Sequence, residues 1–355
     1  MNILALEPYH GGSHRAFLRG WINCSRHQFK VLSLPAHHWK WRMRHAAVTF
    51  ADQLARHNEL EKFDLCWSSS MLDLAMFKGL APHQIAALPS IIYFHENQLT
   101  YPVRKTEDRD VHFGFTNMTS ALAADQVWWN SAYNRDSFLG ALRNLVNKIP
   151  QGQLQGIPHR ICLRSQIQPP GIDPISATPQ RPPGPLHILW AARWEHDKNP
   201  ETFFAELERM HQPFRVSVIG QAFKDTPLVF SRAHRQLGDR ICRWGYQPTR
   251  NEYEAALREA DVIVSTAQHE FFGISVLEAV SAGCRPVLPR RLSYPELFSD
   301  TSIFYDDLAM HLDNLAQQLE RGALPPCSDR VEHFFWCHAA PRLDDQIEAV
   351  NGLSG

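Results

Sequence analysis

The string HEFFGISVLEAVSAGCRPVLP fills residues 269–289. It follows ADVIVST (260–266), an apolar β-branched run of strand type. Gly273 then breaks the chain and helix-forming residues follow. A strand that passes through a glycine loop into a helix leaves unpaired backbone donors. The N–H groups of Ile274 and Ser275 are such donors, and they favour an anion such as a phosphate. Glu270 sits in the loop and Glu278 about one turn into the helix. Two carboxylates at different depths suit two hydroxyl-bearing groups on either side of a diphosphate. A solvated loop Glu with a capping Glu is the plainer alternative, and the pair alone would not decide against it. The whole string, following a strand, favours a ligand site, with Phe272 grouped among its contacts.

Outward from this string the pattern repeats. LHILWAA (186–192), FRVSVIG (214–220), ICRWG (241–245) and CRPVLP (284–289) read as strands. PETFFAELERMH and NEYEAALREA read as helices, the second opened by a capping box at Thr249 and Glu252. The first half has the same rhythm: NILAL, FKVLSL, FDLCW, PSIIYFH and QVWWN, separated by longer mixed segments. Strands alternating with helices predict an α/β chain with parallel sheets covered on both faces. The stretch 169–185 holds seven prolines, which remove backbone donors, and it reads as a linker. The expected domains are therefore 1–172 and 173–328, with a C-terminal helix over 329–355 that could return to the first. Two doubly wound Rossmann-like domains are expected to face a cleft at their strand C-terminal ends.

Composition narrows the function classes. Lys and Arg number 36, Asp and Glu 37, and the net charge is −1, so a generally basic nucleic-acid binder is disfavoured. The opening MNILALEPYHGG is too short in apolar residues for a signal or membrane segment, and the expected location is the cytoplasm. The 7 cysteines form no C-x-x-C pair, and the 19 histidines no H-E-x-x-H, which argues against a disulfide framework and a zinc site. Asp108-Arg109-Asp110 resembles a D-x-D metal motif but lacks the strand that carries one. No metal is expected.

Three further strings carry chemistry. AARWEHDKNPE (191–201) places Arg193 and Lys198 after a strand, where cations can hold a diphosphate and neutralise a departing nucleotide. EPYHGGSH (7–14) brings Gly11 and Gly12 to a helix start beside His10, though taken alone an ordinary tight turn is the better reading of the glycines. YFHENQLTYP (93–102) leaves His95 at a strand end next to Asn97. A buried, hydrogen-bonded histidine is the common alternative there. HHWKWRMRH (37–45) interleaves bases and aromatics. Lys40, Arg42 and Arg44 suit phosphates, and Trp39 or Trp41 suits base stacking or packing beneath the contact.

Together these strings resemble the retaining GT-B glycosyltransferases of family four, in that family's order and over nearly the whole chain. The resemblance implies that the second domain binds a sugar nucleotide and the first an acceptor. Arg193 and Lys198 would hold the diphosphate, Glu270 the sugar, Glu278 the ribose, and His95 the sugar near its reacting carbon. Gly12 would lie under the phosphates, and Gly220 and Tyr246 near the nucleoside. YHGGSH, HHWKWRMRH, YFHENQLTYPV, EDRD and RWEHDKNPE are more specific and resemble the tRNA-queuosine mannosyltransferases. That implies mannose transfer from GDP-mannose to queuosine of tRNA-Asp, with no membrane and no cofactor beyond the donor. Tyr101, Arg104, Lys105 and Asp110 would then be acceptor-side residues. Two alternatives stay open: another donor with a glycan, lipid or small-molecule acceptor, and a non-catalytic RNA-binding protein on the same scaffold.

Overall fold

The computed structural model describes residues 1–56, 62–103, 110–177, 184–223, 226–322, 324, 327 and 330–352. The chain divides into two units, Met1–Gly171 with Phe334–Gly355, and Ile172–His333.

The first unit holds a parallel sheet of six strands: β1 (Asn2–His10), β2 (Gln28–Pro35), β3 (Leu65–Ser69), β4 (Ser90–Phe94), β5 (Gln126–Trp129) and β6 (Ser165–Ile167). Their order is β2-β1-β3-β4-β5-β6. The central strands are apolar on both faces, as helices on both sides require. Alternation along the strands divides the core in two. Leu4, Leu6, Phe94 and Trp129 pack on one side; Ile3, Ala5, Tyr93 and Trp128 pack on the other. Each of the larger of these side chains contributes about 1.5–3 kcal/mol by leaving water.

The C-terminal helix (Trp336–Gly352) closes the second of these faces. Leu343 and Ile347 join its apolar cluster, and the Trp336 indole lies against Gly20 and Gly171, where any side chain would strike it. The buried Asp344 carboxylate accepts from Trp21 Nε1 at 2.8 Å, Ser25 Oγ at 2.8 Å and the Arg26 N–H at 2.9 Å. Arg342 donates to Pro169 O at 2.7 Å.

The second unit repeats the plan with β7 (Leu186–Ala191), β8 (Phe214–Ile219), β9 (Ile241–Gly245), β10 (Val262–Val264), β11 (Arg285–Pro289) and β12 (Phe304–Tyr305), in the order β12-β11-β10-β7-β8-β9. The capping box at Thr249 and Glu252 is present and opens the helix Arg250–Glu259. Among the described residues, no helix is long and apolar enough to cross a membrane.

The proline-rich stretch contains the boundary between the units at Gly171 and Ile172, and its described start is packed: Ile172 and Ile175 are buried, and the Ile175 N–H donates to Ser281 Oγ at 3.0 Å. Apolar side chains between the prolines pull it onto the second unit. HHWKWRMRH is helical from Trp39, the first residue of an 18-residue helix ending at Arg56. Its exposed charges hide the periodicity, but Met43, Ala46, Ala47 and Phe50 are its buried stripe.

Candidate functional site

In the second unit, β7 runs into a loop that ends in a 3-10 turn, His196–Lys198. Asn199, with φ of 53°, and Pro200 then start the next helix (Pro200–Arg209). This turn draws the Lys198 side chain inward, to 8% exposure. Its Nζ donates to His269 O at 2.8 Å and Glu270 Oε2 at 3.2 Å. Asp197 Oδ2 lies 3.3 Å away, a charge contact without hydrogen-bond geometry. Burial alone would lower the Lys198 pKa, but Glu270 and Asp197 outweigh it and raise it above the usual lysine value. Lys198 is therefore a fixed cation, tied to the loop that carries Glu270. Arg193 is half-exposed and pairs with Glu195 at 3.0 Å.

Gly273 caps the helix Ile274–Ser281 at φ of 105°, a value that favours glycine. The first-turn N–H groups of Ile274 and Ser275 have no backbone or side-chain acceptor among the described residues. Gly220 follows β8 at φ of 153°, where a Cβ would fall on Ala192 O, so only glycine lets these two strand ends meet. Tyr246, after β9, is 64% exposed. Phe272 is corrected: its ring is buried, and its carbonyl accepts from Ser293 Oγ at 2.7 Å, so it builds the loop.

Glu278 is engaged rather than open. Its carboxylate accepts from Arg250 Nη1 and Tyr253 Oη, both at 2.7 Å. Arg250, Tyr253 and Asp197 escaped the sequence reading. No local spacing links residues 250 and 278; only the packing of two helices brings them together.

In the first unit, β1 ends at His10, and Gly11 caps the helix Gly12–Cys24. Gly12 is exposed, with φ of 49°, and a Cβ there would meet nothing. His10 Nδ1 is buried with no partner among the described residues. His95 follows β4 and is 7% exposed. Its ring lies 4.1 Å from the His14 ring, and its Nε2 has no partner among the described residues. The common reading of a hydrogen-bonded core histidine therefore does not describe Nε2. Burial and then the His14 charge hold the His95 pKa well below the usual value.

His14, Glu7 and Glu96 were not picked out as site residues, although EPYHGGSH and YFHENQLTYP contain all three. Asn97 is corrected: it is fully buried, donates to Asn134 Oδ1 at 2.9 Å and accepts from the Thr100 N–H at 2.9 Å. It shapes the loop after His95 and presents nothing to an acceptor.

The basic helix start divides by residue. Trp41 is 67% exposed, whereas Trp39 packs against the Met43, Met71 and Phe113 cluster with Lys40 Nζ 5.7 Å over its ring. Arg44 lies over the Phe113 ring and pairs with Asp110 at 3.3 Å. Arg42 donates to Pro35 O at 3.0 Å and reaches His45 and His37 at 3.2 Å. Asp110 caps the helix Val111–Ala123 by accepting from the His112 N–H at 3.0 Å, a structural use that the acceptor reading overlooked. Tyr101 is half-buried, with its N–H on Asn97 O. Arg104, Lys105, Asp108 and Arg109 lie outside the described residues.

Among the described residues, Glu7, His14 and His95 have ligand atoms close enough for a metal, within 4.8 Å. Both His14 nitrogens face carboxylates, so that ring has no lone pair to give.

Residues 2–172 match the family described as tRNA-queuosine alpha-mannosyltransferase N-terminal, and residues 172–319 match glycosyl transferases group 1. A tRNA-queuosine alpha-mannosyltransferase of Drosophila melanogaster is 35% identical over 318 residues, covering 85% of this chain and 83% of the fly protein. The chain belongs to the tRNA-queuosine alpha-mannosyltransferase family. A more distant relative, 24% identical over 76% of this chain and 75% of its own, is a GDP-mannose:cellobiosyl-diphosphopolyprenol alpha-mannosyltransferase of Xanthomonas oryzae. Among solved structures, sucrose-phosphate synthase from Thermosynechococcus elongatus superposes with a TM-score of 0.74 at 14% identity, over 99% of this chain and 100% of that one. A glycosyltransferase from Rickettsia africae gives 0.64 at 14% identity, over 99% and 98%. The fold is GT-B, and the chain is a glycosyltransferase.

Proposed function

We propose that this chain transfers mannose, with retention, from GDP-mannose to the cyclopentenediol of queuosine in the anticodon of tRNA-Asp. One observation carries the reading: the buried Lys198 cation is tied to Glu270, in the loop that ends in the unpaired N–H groups of Ile274 and Ser275. A diphosphate needs cations and backbone donors, and a sugar beside it needs a carboxylate. Membership of the family supports the acceptor class, and we place the reaction in the cytoplasm.

As GDP departs, the anomeric carbon becomes oxocarbenium-like and negative charge grows on the diphosphate. Lys198, Arg193 and the helix start at Ile274 stabilise that charge without rearranging. Glu270 holds the sugar hydroxyls, and Glu278, steadied by Arg250 and Tyr253, holds the ribose. Retention follows from same-face attack, with the leaving phosphate helping to take the acceptor proton. Three fixed positive groups balance the diphosphate, so we assign no metal or cofactor to the step. Trp41, Lys40 and Arg44 are the tRNA contacts of this reading, through stacking and phosphate charge.

The test is incubation with labelled GDP-mannose and either queuosine-containing tRNA-Asp or the same tRNA without queuosine, with UDP- and ADP-sugars as competing donors. Label should enter only the queuosine tRNA and only from GDP-mannose. Labelling of both tRNAs alike, or of neither, overturns the proposal.

A further inference from the structure

We propose that His14 is a positioning residue for the transfer: clamped between the Glu7 and Glu96 carboxylates, its ring is the platform that sets the orientation of His95. The inference rests on the reading of His95 as a residue at the transferred sugar. His14 Nδ1 lies 3.1 Å from Glu7 Oε2, and Nε2 lies 3.3 Å from both oxygens of Glu96. Ionised carboxylates only accept, so both ring nitrogens donate and His14 is an imidazolium. Burial opposes that charge; the two carboxylates overcome it and push the pKa up to about 10. Glu7 is itself fixed, accepting from the Tyr9 N–H at 2.8 Å and Ser69 Oγ at 3.0 Å. The clamp is therefore rigid and buried at its base.

His95 is boxed by this platform. His14 lies 4.1 Å from it, Tyr93 4.6 Å and Phe17 5.1 Å, centroid to centroid. The charged groups around it are Glu7 on β1, His14 on the first helix and Glu96 on its own loop. Tyr93 on β4 stays neutral because burial raises its pKa. Burial, and then the charge of His14, oppose a proton on His95, so it stays neutral and its unpartnered Nε2 remains available for a hydrogen bond.

The experiment compares His14→Gln with the unaltered enzyme across pH, and follows the ring nitrogens of the unaltered enzyme by NMR. In His14→Gln the charge against His95 is gone while Glu7 and Glu96 remain, so His95 takes a proton more readily. The acid limb of kcat should move up by about one pH unit or more, with KM for GDP-mannose little changed. A merely structural role would lower kcat equally at every pH and leave the limb in place, which overturns the proposal. The spectra should show His14 protonated on both nitrogens and His95 neutral between about pH 5.5 and 9. A neutral His14 in that range overturns it as well, even where the variant fails to fold. His95→Ala tests the underlying reading separately: full transfer by that variant removes His95 from the site, while the spectra still decide the clamp.

Discussion

Replacing Lys198 with Met keeps an unbranched stem in the same slot and removes one charge. Two losses follow, and they are separable. The first is structural: Asp197 is left buried beside no cation, and Glu270 loses a donor at 3.2 Å. Breaking a fully buried pair costs about 3–5 kcal/mol. Glu270 is about a quarter exposed and can recover water, which brings the expected loss to about 2–3 kcal/mol, or about 5–10 °C in Tm for a unit of this size. The second is catalytic: losing one preorganised donor to a growing oxyanion costs about 2.7–4 kcal/mol, or 10²–10³ in kcat.

Asp197→Asn in the same variant removes the stranded charge and should recover most of the Tm but none of the kcat. Steady-state transfer of labelled mannose measures the rate, and calorimetry the stability. The Lys198 pKa is raised on folding, so its stabilisation is fully present below about pH 10.5 and is lost only as pH rises through the folded value. The stability gap between Lys198→Met and the unaltered chain should therefore be flat from neutral pH to about 9. An unaltered transfer rate in a folded Lys198→Met variant, or a gap that closes near neutral pH, would refute this reasoning.

Trp41→Ala should weaken tRNA binding by about 1–3 kcal/mol without moving Tm, since the side chain is exposed, and filter binding beside a melting curve checks both. Glu278→Gln should raise the Kd for GDP about tenfold or more by calorimetry, because a charge-assisted hydrogen bond is weakened and Arg250 keeps only the Glu254 carboxylate. Asp344→Ala strips the acceptor from three donors in the first unit and should cost about 3 kcal/mol or more in denaturant unfolding, with donor binding by the second unit unchanged.

The alternation of strands and helices was readable from apolar runs because parallel strands buried on both faces leave a continuous hydrophobic trace. Ten of the twelve strands among the described residues match apolar runs of the sequence. The other two, β6 and β12, are three and two residues long and leave too little pattern to see. The helical start at Trp39 was obscured for the opposite reason: the exposed face there is as aromatic as the buried one.

The sequence by itself determined the two parallel sheets, the glycine turn before Ile274, and the residue types able to hold a diphosphate. These depend on local steric and hydrogen-bonding rules that operate within a few residues. Only the tertiary structure decided which side chains are already committed. Asn97 donates to Asn134 on another helix, Arg42 donates to the end of β2, Glu278 is held from another helix, and His14 is charged because two glutamates, 7 and 82 residues away, converge on it. Charge and hydrogen-bond capacity are set by neighbours in space, and spacing along the chain does not encode who those neighbours are.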